Sequence, residues 1–283
     1  MTRKSLTRIS VTGNNSTNVD KKANRTLSIR ISTNGFCFCA YTPTDPDSLQ
    51  YKFYPIDSGT SLGVNLNRAI EQCPFINDEN DIEIKAIIET TEYTALPTEY
   101  DNRQEYKLYY RCCFPKCDSG VEIMSNRLNV QGLTILFPVD RGVYETLQQL
   151  GEVTYYTPAS ILMGYITHYG LPEENCMLAY IEKGHSLFIP VKEGKIGVSS
   201  SFVSESGEDH LFYMLSIWKE QGFSQTDDML YLCGDKQIEE LQTLISRFIK
   251  NRKRINPSEQ FHSTLLNRIK GIPFDLQALI LCE

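Results

Sequence analysis

Apolar and polar positions alternate along this chain in two similar series. In the first, Leu27, Ile29 and Ile31 alternate with Ser28, Arg30 and Ser32, the period-two pattern of a strand with one buried face. Asn34-Gly35 follows, a strong hairpin signal, and residues 36–41 read as the return strand. A turn over 43–48 leads to a third strand over 49–56, which Asp57-Ser58-Gly59 breaks. Leu62, Leu66, Ala69, Ile70 and Cys73 then share one face of a helix over 62–73. Ile82, Ile84, Ala86 and Ile88 alternate in a strand over 81–89.

The second series begins with a strand over 176–181 and a hairpin turn at Glu182-Lys183-Gly184-His185. A return strand over 186–192, a Glu193-Gly194 turn and a third strand over 195–202 follow. Ser206, with Asp209 three residues on, caps a helix that ends at Gly222, and residues 229–233 form a buried strand. The two units keep their spacing: Gly35 to Ile84 is 49 residues and Gly184 to Leu230 is 46. Between them the pattern predicts helices over 98–107, 120–128 and 140–150, strands over 133–137 and 153–156, and a helix opened by Pro158 and running to 168. Residues 238–249 and 274–282 read as closing helices. The expected organisation is a disordered basic leader over 1–25, a first lobe over 26–157 with inserted helices, and a second lobe over 158–283.

The repeated βββαβ order resembles that of the actin-like ATPase superfamily, which has a ribonuclease H-like fold. More closely, the chain resembles the bacterial domain-of-unknown-function family 3822, whose fold is actin-like. Leu27-Ser28-Ile29-Arg30-Ile31-Ser32, Gly35-Phe36-Cys37-Phe38, Leu133-Thr134-Ile135-Leu136-Phe137-Pro138, the run over 177–197 and Pro273-Phe274-Asp275-Leu276 carry the resemblance. It implies a mixed α/β fold of two lobes, each with a sheet flanked by helices, facing each other across a cleft. The motifs bear on fold rather than catalysis.

The cofactors the superfamily implies are ATP and Mg²⁺. Such a site needs an acid on each first strand to hold hydrated Mg²⁺, and a glycine-rich hairpin whose N–H groups cradle phosphate. In the first lobe the corresponding acid-x-Gly position reads Arg30-Ile31-Ser32, a cation in place of the acid. The second lobe offers Glu182-Lys183-Gly184, and the adenosine-side glycine pair survives as Cys233-Gly234-Asp235. Arg30, Gly35, Glu182, Gly184 and Gly234 are therefore the candidate cleft residues. Arg30 has two readings, an exposed residue on an alternating strand or a phosphate contact.

Other groupings carry less chemistry. Cys37, Cys39, Cys112, Cys113 and Cys117 lack zinc-knuckle spacing and read as buried structural cysteines. Ser199-Ser200-Ser201 lies near Asp209-His210, but adjacent residues on a helix point apart, and no nucleophile elbow is present. His168, His185 and His262 read as isolated. Gly59-Thr60-Ser61-Leu62-Gly63 reads as a turn and cap, and the basic run over 250–254 as partner to a helix C-terminus.

Charge narrows the function classes. Residues 1–25 carry Arg3, Lys4, Arg8, Lys21, Lys22 and Arg25 against Asp20, a net +5, so the rest of the chain is −12 within a total of −7. An acidic body disfavours nucleic acid as the main ligand. Nine cysteines, two of them adjacent, suit a reducing compartment. With no membrane span and no secretory signal, the cytoplasm is expected. These readings converge on a catalytically silent binding or scaffold protein with a protein partner. The alternatives are a nucleotide-dependent switch using Glu182, and an RNA-associated factor using the basic leader and the 250–254 run.

Overall fold

The computed structural model describes residues 25–76, 82–117, 120–171, 173–255 and 271–282. The basic leader lies outside them, apart from Arg25, and so does His262. In chain order the elements are β1 (Arg25–Ser32), β2 (Gly35–Thr42), β3 (Asp45–Pro55), α1 (Leu62–Gln72), β4 (Ile82–Ile88), β5 (Thr94–Pro97), α2 (Tyr106–Cys113), β6 (Val121–Leu128), β7 (Leu133–Asp140), α3 (Arg141–Gln148) and β8 (Val153–Tyr156). There follow α4 (Pro158–Tyr169), β9 (Cys176–Glu182), β10 (Gly184–Lys192), β11 (Lys195–Ile196), β12 (Ser200–Ser204), α5 (Gly207–Glu220), β13 (Met229–Gly234), α6 (Gln237–Ile245), β14 (Arg252–Arg254) and α7 (Phe274–Leu281).

The repeat read from the sequence is the repeat of the fold. One sheet has the order β3-β2-β1-β4-β8 and another β11-β10-β9-β13-β14, with β12 also on β10. In each, the first strand pairs antiparallel with its hairpin partner and parallel with the strand after the helix. A separate sheet, β5-β7-β6, sits in the connection between them.

Strand β9 shows how the lobes share a core. Cys176, Leu178 and Tyr180 belong to the cluster that also holds β1, β2, α4 and α7 side chains. Met177, Ala179 and Ile181, on the other face, pack with Met214 and Trp218 of α5 and Leu241 and Ile245 of α6. Period two thus divides one strand between two cores. The apolar helices α4 and α7 pack together, and the Tyr165 and Phe274 rings meet edge-on at 5.6 Å.

Four expectations change. The stretch 120–128 is not a helix: β6 pairs with β7 along its whole length, from Val121 opposite Asp140 to Leu128 opposite Leu133. Val121, Met124 and Leu128 have helical spacing, but the turn at Gly132, with φ +63°, closes a hairpin and the ladder wins. The helix expected over 98–107 is two 3-10 turns followed by α2, which starts at Tyr106. The third strand of the second lobe is split, because Pro190 of β10 has no N–H to donate; β12 pairs with residues 184–188 and β11 with Val191 and Lys192. Finally, β1 is not half-buried. Every residue from Thr26 to Ser32 is buried, since its polar face is covered as well.

Gly234 closes β13 at φ +130°, and a Cβ there would lie 1.9 Å from the carbonyl oxygen of Ile181. No side-chain rotation relieves a clash with backbone. Gly234→Ala is expected to cost about 3 kcal/mol or more in urea unfolding. Gly164→Ala on α4, where an added Cβ meets nothing within 4 Å, is expected to stabilise by up to about 1 kcal/mol.

Candidate functional site

The candidate site forms where the first strands of the two lobes face each other. Arg30 lies on β1 and is 3% exposed, so the reading of an exposed strand residue is corrected. Its Nε donates to both oxygens of Asp275, at 2.9 and 2.7 Å. Its Nη2 donates to Glu89 Oε2 at 2.8 Å, to the Tyr180 hydroxyl at 3.2 Å and to Glu182 Oε2. Each partner has a definite origin in the fold. Glu89 follows β4, the parallel neighbour of β1, and its backbone N–H donates to the Ile31 carbonyl. Tyr180 and Glu182 point from one face of β9, two residues apart. Asp275 is the second residue of the apolar helix α7 and is 0% exposed. Its Oδ1 also accepts from Leu276 N at 2.8 Å.

One cation therefore serves three buried carboxyl groups. Burial alone would favour a neutral Arg30, but Asp275 and Glu182 outweigh it and hold the guanidinium firmly charged. Glu182 is pushed up to about 8 by burial, reinforced by Asp275 and Glu89 and opposed by Arg30. Glu89 goes the other way: burial works to raise it, but Arg30, with help from His185, takes it below the ordinary carboxylate value. His185, read from the sequence as isolated, is buried beside this group, with Nε2 at 2.5 Å from Ser201 Oγ and its ring edge-on to Tyr180 at 6.2 Å.

The hairpin turns that would cradle phosphate touch each other. Asn34 Nδ2 donates to the Lys183 carbonyl at 3.1 Å. A Cβ on Gly184, whose φ is +85°, would lie 3.5 Å from Thr33 Oγ1 of the other hairpin. Thr33 N and Oγ1 both donate to Glu89 Oε1, at 3.3 and 3.2 Å. Gly234 and Asp235 close onto the same turn: Lys183 N donates to Asp235 Oδ2 at 3.1 Å, and Asp235 N to the Ile181 carbonyl at 3.0 Å. Gly35 opens β2, opposite Ser32 on one side and Pro55 on the other. Arg30 and Glu182 are thus in direct contact, and Gly184 and Gly234 flank the same junction. These residues do not fit a magnesium–phosphate group: a guanidinium occupies the place between the carboxyl groups, and each turn is bonded to its opposite.

Sequence reasoning missed Glu89, Tyr180 and Asp275. A usable signal existed, since Glu89 follows the apolar run Ala86-Ile87-Ile88 and Asp275 opens the apolar helix α7. Elsewhere, Cys37 and Cys39 are buried in β2 as expected, while the expectation of burial fails for Cys112 and Cys113, which are exposed at the end of the short surface helix α2. His210 Nδ1 lies 2.5 Å from Ser186 Oγ, and Asp209 caps α5 through Ser206, so the two point apart as expected. Ser61 caps α1 through Val64 N. The basic run becomes the exposed edge strand β14, and Arg252 Nη1 donates to the Ile249 and Lys250 carbonyls at 3.0 and 3.3 Å, closing the turns after α6.

Removing the cation strands the acids. Arg30→Met is expected to destabilise the chain by about 3–5 kcal/mol, as breaking a buried ion pair does. Arg30→Lys is expected to recover only part of that, because an ammonium lacks the planar fork. Urea unfolding of both variants measures the difference.

Comparison with known proteins places this geometry. A crystal structure from Bacteroides thetaiotaomicron, of a protein with actin-like ATPase fold and unknown function, matches with a TM-score of 0.77 at 24% identity, over 92% of this chain and 97% of that one. A chain of the PilM–PilN type IV pilus biogenesis complex matches with a TM-score of 0.55 at 13% identity, over 91% and 97%. At these identities the likeness is one of fold. No curated protein sequence matches the chain. No helix among the described residues is long and apolar enough to cross a membrane. The family model described as Protein of unknown function (DUF3822) matches residues 14–251. With most of its length matched and its lobes carrying the actin-like arrangement, the chain belongs to that family of unknown function.

Proposed function

We propose that this chain is a catalytically silent actin-like protein that works as a binding scaffold for a protein segment. The observation that carries the reading is Arg30. Phosphoryl transfer on this fold needs a divalent cation between the lobes to stabilise charge on the transferring group. Here a covalently attached cation stands between the lobes, bonded to Asp275, Glu89 and Glu182. A phosphate entering the junction would have to break hydrogen bonds between the two hairpin turns and displace buried carboxyl groups from their counter-ion.

Binding surface remains outside this junction. Beside Thr33 and Glu89 lies an open pocket of about 400 Å³, floored by Ile31, Ile56, Leu62, Ile88, Val139 and Val143. It joins the first lobe to the β5-β7-β6 sheet, and its lining is mainly apolar with a few polar groups at one end, a composition suited to a peptide side chain. The similar chain of the PilM–PilN complex is found in a protein–protein assembly, which supports the same role here.

Differential scanning fluorimetry with millimolar ATP and Mg²⁺ tests the silent reading. The melting temperature is expected to stay within about 1 °C of the ligand-free value, since only a ligand that binds the native state raises it. Nucleotide turnover that Glu182→Ala abolishes would overturn the reading.

A further inference from the structure

Glu89 and Glu182 come from opposite lobes, yet both accept from the same nitrogen of Arg30. Asp275 is bonded to the same guanidinium, so one cation faces three buried carboxyl groups. Three carboxylates against one guanidinium would leave excess negative charge out of reach of water, which one bound proton relieves. The Tyr180 hydroxyl accepts from the same Nη2 at 3.2 Å, and the cluster is almost closed to water.

Titratable groups face the pair from several other elements. Arg30 on β1 is held charged. Cys37 on β2 is pushed up by burial to about 11, and burial also raises Cys233 on β13 and Tyr180 on β9. His185 on β10 is lowered by burial. Asp275 on α7 accepts from Arg30 Nε with both oxygens and from Leu276 N.

We propose that one proton held by the Glu182–Glu89 pair latches the two lobes together, so that the junction is closed while the pair is singly protonated and loosens when that proton leaves. Loss of the proton sets two carboxylates against each other across the lobe boundary, with one guanidinium to serve both and Asp275 as well.

The sign follows from linkage. Glu182 has its folded value raised to about 8 from 4.5. Between those values the folded chain holds a proton that the unfolded chain has lost, so stability falls as pH rises through that window. Glu89 is lowered, so its contribution is present above its unfolded value and is lost only as pH falls through its lower folded value. The latch is tightest in mildly acidic solution.

Hydrogen exchange on the full chain tests the latch, read at the Thr33 amide, which donates to Glu89 Oε1. After correction for intrinsic rates, its protection is expected to fall about tenfold or more between about pH 6 and about pH 9. Amides of β2 away from the turn keep theirs. Glu182→Gln keeps a neutral polar side chain beside Arg30 without a titrating proton and is expected to flatten the profile. Glu89→Gln removes the opposing charge and is expected to do the same should the first variant not fold. A flat wild-type profile, or a wild-type slope kept in a folded Gln variant, would overturn the proposal.

Discussion

A single buried guanidinium holds this structure together at its centre. Arg30 directs its Nε and Nη2 donors at acids from three places: the end of β4, the end of β9 and the start of α7. Burying a charge is costly unless every partner is bonded. That condition dictates much else. It fixes the approach of β1 to β9, requires α7 to bring in Asp275, and sets Glu89 and Glu182 against one nitrogen of Arg30. A shift of either first strand by one residue would turn Arg30 or Glu182 to the opposite face of its sheet.

The same constraint separates fold from inherited chemistry. The two sheets keep the strand order and the parallel and antiparallel pairings of actin-like lobes, and the match to a Bacteroides thetaiotaomicron protein extends over nearly all of both chains. At the junction this chain places a buried cation and brings its two hairpin turns into contact, through Asn34 with Lys183 and Gly184 against Thr33. An apolar pocket opens beside β4, and through Glu89 it borders the Glu89–Glu182 pair.

The sheets were legible because period two marks β1 and β4 and turn signals bound the apolar runs of the other strands: Leu27, Ile29 and Ile31 announce β1 whatever covers its other face. The inserted sheet was less so. Its strand over 121–128 carries apolar side chains at helical spacing, and only pairing with β7 decides the matter. Arg30 was found but misread. One arginine among alternating strand residues looks solvated, and its partners lie 59, 152 and 245 residues away on separate elements. No local periodicity encodes such a cluster. Glu182, Gly184 and Gly234 were legible through the repeat, because they occupy its turns. Asp275 could be seen only as an acid in an apolar helix, which reads as an N-terminal charge until a buried cation is known to face it.

The account stands or falls on whether Arg30 and Glu182 act as one bonded pair across the lobes. A double-mutant cycle of Arg30→Met and Glu182→Leu, read by urea unfolding at mildly acidic pH, measures that coupling. The account predicts a coupling of about 2 kcal/mol or more, the double variant losing far less than the two single losses combined. Losses that add to within about 0.5 kcal/mol would contradict it, because two side chains that do not interact behave in that way.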